Sequence, residues 1–257
     1  MKFKKSLGQH FLRDKRFVRK ILKNLHLDGE TVLEIGAGSG VMTRHIINRK
    51  VKRLYCLEKD LSLIPILKER FLSERVEIVN EDILGFNIGS LGDNIVVFGN
   101  IPFNISNRLI RYLIDNRRFV KKAYLTFQKE FAHRLAASCN TRAYGYLSCF
   151  VQYYAKIRIL FDIPKEAFYP KPKVDASFVE MDFCGYPLFR VGDESLFFKL
   201  IRKAFSSRRK KVINSLSGLK DKENLKKAFS SLKLDTSSRA ENLSLKDYYN
   251  LYLRAFT

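Results

Sequence analysis

Thr31-Val32-Leu33-Glu34-Ile35-Gly36-Ala37-Gly38-Ser39-Gly40 is the stretch that decides how this chain folds. Five β-rich residues run directly into three glycines at alternate positions, and an amphipathic stretch opens at Val41. Strand, glycine turn and helix in immediate succession form the arrangement in which a ligand can approach the main chain closely. The spacing is GxGxG, not the GxGxxG of a dinucleotide fingerprint, so a bound pyrophosphate is not required.

Working outward, short β-rich runs alternate with amphipathic segments. Strands are predicted at Arg53–Glu58, Val76–Val79, Ile95–Phe98, Ala123–Phe127, Ile157–Phe161 and Ser177–Phe183, and helices at Val41–Lys50, Leu61–Phe71, Ile105–Asn116, Lys129–Ser138 and Tyr146–Ala155. Alternation at this spacing argues for an α/β fold of βαβ units with a parallel sheet covered on both faces. The last two strands lack a helix between them and are joined by a segment holding Pro164, Pro170 and Pro172, which predicts a closing antiparallel hairpin. From Tyr186 the strand signal stops, and Ser195–Phe205, Arg209–Leu216, Lys222–Leu232 and Leu245–Ala255 read as short helices, the last with a capping box at Ser244 and Asp247. The expected organisation is a sheet domain over 1–185 and a small helical domain over 186–257.

Three polar groups fall at successive strand ends. Glu58 closes the second strand and can accept both hydroxyls of a ribose. Asp82 follows the third strand and can accept from the amine of an adenine. Asn100-Ile101-Pro102-Phe103 follows the fourth and offers an amide oxygen, a main-chain carbonyl and a flat apolar ring within four residues. Pro102 fixes its own φ and holds Ile101 extended, so the geometry is stiff. A flipped-out base bearing an exocyclic amine needs such a clamp. Singly, each acid is also an ordinary helix cap or solvated turn, and the tetrapeptide an ordinary strand-closing turn; their succession at strand ends is what points to a nucleoside pocket.

Composition narrows the partners. The 257 residues carry 48 Lys+Arg against 26 Asp+Glu, a net charge of +22, an excess that calls for a polyanion, nucleic acid first and an anionic membrane surface second. Residues 186–257 hold 16 basic and 7 acidic side chains, so both parts are basic. The run Arg202–Lys211 has six Lys/Arg and no acid; within it Arg208, Arg209, Lys210 and Lys211 are candidate phosphate contacts, as are Lys2, Lys4, Lys5, Arg13, Lys15 and Arg16 nearer the start. Cys56, Cys139, Cys149 and Cys184 form no CxxC pair and read as free thiols of a reducing compartment. Four histidines without ligand spacing predict no metal site. No apolar run is long enough to span a membrane, and Met1–Leu7 has no signal-peptide apolar region. A cytoplasmic monomer is expected.

These residues together resemble the ribosomal RNA adenine dimethyltransferases, the KsgA family, over nearly the whole chain. Gly8-Gln9-His10-Phe11-Leu12 resembles the family's N-terminal cofactor motif, Glu34 through Gly40 its glycine loop, Glu58 its ribose acid, Glu81-Asp82 its adenine-contacting acid and Asn100–Phe103 its catalytic motif. Phe127–Glu130, Tyr169–Ser177, Arg208–Lys210 with Asn214, and Arg239–Ser244 also look like family segments. The resemblance implies a Rossmann-like methyltransferase sheet that uses S-adenosylmethionine. It also implies dimethylation of two adjacent adenosines near the 3′ end of small-subunit rRNA, within an immature ribosomal subunit. The cofactor residues would be His10, Leu12, Gly36, Gly38, Glu58, Asp82 and Asn100. Phe103 would stack on one face of the base, with Phe168 a candidate for the other. The chain departs from the family pattern at His10, where Asn is usual, and at Phe103, where Tyr is commoner. The related Erm enzymes share the Asn-X-Pro-aromatic motif, and the Arg239–Ser244 run favours the small-subunit enzymes over them. A nicotinamide-dependent oxidoreductase fits the strand and turn but not the glycine spacing; a non-catalytic RNA-assembly factor fits the charge and can coexist with catalysis.

Overall fold

The computed structural model describes residues 10–71 and 73–256. Gly8, Gln9, Lys2, Lys4 and Lys5 lie outside the described residues. Seven strands form the central sheet: β1 Thr31–Ile35, β2 Arg53–Leu57, β3 Val76–Val79, β4 Ile95–Asn100, β5 Val120–Gln128, β6 Lys156–Ile163 and β7 Ala176–Asp182. Their spatial order is β3-β2-β1-β4-β5-β7-β6. The first five pair in parallel, and β7 runs antiparallel to both β5 and β6. The expected closing hairpin is therefore present, with β7 inserted between β5 and β6.

Register sets the site. Ile35, the last residue of β1, lies opposite Leu57 on β2 and Gly99 on β4. Gly36, Glu58 and Asn100 consequently leave the sheet side by side at its carboxyl edge, where the strand order reverses between β1 and β4, the place such sheets use for ligands. Val32, Leu33, Val96, Val97 and Phe98 are almost wholly buried, as strands covered on both faces must be.

Before β1 stands a helix absent from the sequence reading, α1 Lys15–Asn24, with Asp14 as its N-cap accepting from the Arg16 amide. Its Val18 and Ile21 are buried, while its lysines and arginines face out. The helices that follow are α2 Val41–Ile47, α3 Ile64–Phe71, α4 Ser106–Asp115, α5 Lys129–Leu135, α6 Tyr146–Tyr154, α7 Glu194–Ala204, α8 Val212–Leu216, α9 Lys222–Ser231 and α10 Leu245–Ala255.

The chain forms two compact units, one running to Ala132 and resuming over Lys156–Cys184, the other comprising His133–Ala155 and the chain from Gly185. The 185/186 division thus needs one amendment: α6 joins the helical unit. The reason is aromatic packing, since Tyr153 and Phe150 of α6 lie 5.3 and 5.1 Å from the Phe198 ring of α7, centroid to centroid. Helix α8 also begins three residues later than the pattern suggested. Phe205–Ser207 is a single 3₁₀ turn, and Arg208–Lys211 form the loop that leads into α8.

Candidate functional site

At the carboxyl edge of the sheet unit the chain leaves a cleft of about 990 Å³, mouth included, lined by residues from the glycine turn, Leu57–Lys59, Glu81–Ile83, Asn100–Ile105, His10–Phe11 and Phe168. The glycines belong there for steric reasons. Gly36 and Gly38 have φ of +70° and +59°, values that favour a residue without Cβ. A Cβ on Gly38 would also lie 2.6 Å from the Phe11 ring.

Glu58 is 6% exposed and holds this turn in place. Its Oε2 accepts from the Gly38 amide at 2.8 Å and its Oε1 from the Asp60 amide at 2.7 Å, leaving the remaining lone pairs for a ligand. The Asn80 side chain donates to the Glu58 carbonyl at 2.8 Å, tying the ends of β2 and β3 together. Asp82 accepts from Lys59 at 2.9 Å and from the Leu84 amide at 3.0 Å. Burial opposes its ionisation, but those hydrogen bonds outweigh it and its pKa is lowered.

Beneath the turn lies a carboxylate whose burial the sequence did not reveal. Glu34 is 2% exposed and accepts from Thr43 Oγ1 at 2.7 Å, with Cys56 Sγ at 3.6 Å. Desolvation raises its pKa to about 7, against the hydrogen bonds from Thr43 and Cys56 and with help from the charge of Glu58.

The Asn100 side chain is anchored. Its Nδ2 donates to the His10 carbonyl at 2.7 Å, which leaves Oδ1 as the acceptor end of the amide. Ile101 is buried, and Phe103 opens a 3₁₀ turn over Phe103–Ile105. The His10 and Phe103 rings are 5.9 Å apart. Phe168 reaches the cleft through a two-residue ladder in which Phe11 pairs with Tyr169 and Leu12 with Phe168. It is only 4% exposed and part of the core, so little of its ring is open to the cleft. Leu12 is buried in the same core and lines a smaller adjoining cavity with Phe11, Gly36 and Asn100.

The structure therefore gathers His10, Gly36, Gly38, Glu58, Asp82, Asn100–Phe103 and Phe168 around one cavity. Arg208, Arg209, Lys210 and Lys211 belong to the helical unit. Among them Arg208, though exposed, is tied to its own unit: it donates to the Tyr144 carbonyl at 3.0 Å and lies 3.8 Å from the Glu241 carboxylate. Of the other basic candidates, Arg13 stacks its guanidinium 4.2 Å from the Tyr169 ring centroid and Arg16 is paired with Asp14 at 2.7 Å. Among the described residues no cluster of three or more His, Cys, Asp or Glu has the proximity to hold a metal ion, and no helix is long and apolar enough to cross a membrane.

The family model described as ribosomal RNA adenine dimethylase matches residues 1–255. The chain belongs to the ribosomal RNA adenine dimethylase family. It is accordingly an S-adenosylmethionine-dependent methyltransferase. A relative named ribosomal RNA small subunit methyltransferase A, from Desulforapulum autotrophicum, is 39% identical over 96% of this chain and 90% of its own length. Another of that name, from Mycoplasma mobile, is 35% identical over 97% of each. Among solved structures, a dimethyladenosine transferase from Plasmodium falciparum superposes with a TM-score of 0.79 at 25% identity, over 95% of this chain and 96% of that one. The 23S rRNA methyltransferase ErmE does so with a TM-score of 0.80 at 20% identity, over 96% and 100%, a likeness of fold. The dimethylase cofactor suits this cleft: the glycine turn leaves main chain open where a Cβ would intrude, Glu58 keeps lone pairs for sugar hydroxyls, and Leu57 and Ile83 give apolar walls.

Proposed function

We propose that this protein transfers methyl groups to N6 of two adjacent adenosines near the 3′ end of small-subunit rRNA, acting as a monomer on the immature small subunit in the cytoplasm. The observation that carries the reading is the anchored Asn100 amide. With Nδ2 committed to the His10 carbonyl, its oxygen is the end presented to an incoming amine, beside the Ile101 carbonyl and the Phe103 ring.

The exocyclic amine of adenine is a poor nucleophile because its lone pair is delocalised into the ring. Asn100 Oδ1 and the Ile101 carbonyl accept its two N–H bonds and favour a pyramidal nitrogen, while Phe103 stacks on the base and excludes water. When bound, S-adenosylmethionine supplies an electrophilic methyl group. Positioning then contributes most of the acceleration, on the order of 7–11 kcal/mol for well-oriented partners. After one transfer the cationic nitrogen gives one proton to solvent and keeps a single N–H, so one acceptor suffices for the second. Glu58 and the glycine turn would hold the donor's ribose, and Asp82 would contact its adenine. Arg209, Lys210 and Lys211 of the helical unit contact RNA phosphate. Primer-extension mapping of small-subunit rRNA from cells with and without the gene tests the reading; full dimethylation of the 3′-terminal adenosines in its absence would overturn it.

A further inference from the structure

We propose that His10 is a positioning residue that joins the two segments carrying the adenine-binding groups, and that its ring does not ligate the methyl donor; this rests on the reading of Asn100 and Phe103 above. Its main-chain carbonyl accepts from Asn100 Nδ2 at 2.7 Å. Its Nδ1 lies 2.6 Å from the Pro170 carbonyl oxygen. Its ring lies 5.9 Å from Phe103, tilted by 32°. One residue thus touches the catalytic tetrapeptide twice and the Phe168–Pro170 segment once.

The Pro170 contact also fixes the chemistry of the ring. A carbonyl oxygen only accepts, so Nδ1 carries the hydrogen, and in the neutral imidazole Nε2 is left as a bare acceptor. A carboxylate also only accepts. A neutral His10 therefore has no hydrogen for the carboxylate of S-adenosylmethionine, the contact its place in the N-terminal motif suggests. Its hydrogen is spent holding the segment that bears Phe168, while its carbonyl decides which end of the Asn100 amide faces the cleft. A reversed amide would present an NH₂ group to the amine it must accept from.

The two ring nitrogens have different side-chain mimics. The amide nitrogen of asparagine occupies the place of Nδ1, and that of glutamine the place of Nε2. His10→Ala, His10→Asn and His10→Gln are to be compared in the full-length enzyme. Three readouts serve: turnover on small subunits lacking the modification, S-adenosylmethionine affinity by calorimetry, and 2-aminopurine fluorescence in a 3′-terminal rRNA fragment carrying that base in place of a target adenosine. His10→Ala should lower kcat about tenfold, the scale of one well-placed hydrogen bond. It should leave cofactor affinity within about twofold and weaken the fluorescence change that reports stacking, neither of which a cofactor ligand would do. His10→Asn should restore kcat and fluorescence; His10→Gln should not. Rescue by glutamine with weakened cofactor binding in His10→Ala would overturn the proposal, as would an unchanged kcat in His10→Ala or rescue by neither mimic. Normal turnover in Asn100→Ala would instead remove the reading of the site on which it rests.

Discussion

Glu58 accepts the amide hydrogen of Gly38 at 2.8 Å, so the carboxylate assigned to the ribose is also what shapes the glycine turn across from it. The proposed ligand contact and the observed support of the turn reside in one side chain.

Removing that side chain should therefore affect binding twice over. Glu58→Ala is expected to weaken S-adenosylmethionine by roughly 2–4 kcal/mol, since charge-assisted hydrogen bonds are lost and the turn relaxes. Glu58→Gln keeps an oxygen for only one of the two amides and should fall between. Calorimetric titration checks both; wild-type affinity in Glu58→Ala would exclude this residue from the cofactor site.

Asn100→Ala should lower kcat by at least about two orders of magnitude while leaving cofactor affinity within a few-fold, because an acceptor that acts mainly in the transition state affects turnover more than ground-state binding. Single-turnover methylation of small subunits measures this directly.

Gly38→Ala introduces a Cβ 2.6 Å from the Phe11 ring at a φ of +59°. A cost of roughly 1–3 kcal/mol is expected, seen as a lower urea midpoint together with weakened cofactor binding, since the displaced Phe11 belongs to the cleft wall.

Glu34 gives the fold a pH dependence of defined sign. Its pKa is raised from 4.5 to about 7 on folding, so the native state binds the proton more tightly than the unfolded chain. Its contribution is complete below pH 4.5 and is lost as pH rises through 7, by roughly 3 kcal/mol in all. Glu34→Gln should remove that slope: the difference in unfolding free energy between wild type and variant should change across this window and be level outside it.

The basic run divides. Arg208, Arg209, Lys210 and Lys211 are all exposed, but Arg208 also donates to the Tyr144 carbonyl and so braces the helical unit. Neutralising the last three should make log K for rRNA against log[salt] shallower by up to about three units, without a change in melting temperature. Arg208→Ala should instead lower the melting temperature.

The sheet and the candidate site were readable because both are local. Strand, turn and acid follow one another within a few residues, and register alone brings Gly36, Glu58 and Asn100 together. What escaped depends on long-range geometry. The Phe11–Leu12 ladder with Phe168–Tyr169 has too short a pattern to detect and joins segments far apart in sequence. Helix α1 was legible in principle, from the Asp14 cap and the apolar spacing of Phe17, Val18, Ile21 and Leu22, but its density of lysine and arginine drew attention to charge. Glu34 gave no sign of burial, because a carboxylate before a glycine turn looks the same whether it faces solvent or Thr43. The placement of α6 was missed because aromatic residues report that a helix is buried, not against which neighbour.

The His10–Pro170 contact spans 160 positions, and this bears on the order in which the protein is made. A growing chain has its glycine turn, Glu58 and Asn100 well before Phe168 to Pro170 are synthesised. Until they are, His10 lacks the Pro170 contact that holds its ring, and the carbonyl that orients Asn100 is held less firmly. Contacts between such distant segments must also bear the entropy of closing a long loop, which favours their forming late. A nascent or truncated chain ending before Pro170 thus has the turn and the acids but not the firmly oriented amide, and full competence for methyl transfer arrives only after the strand-rich half has been assembled.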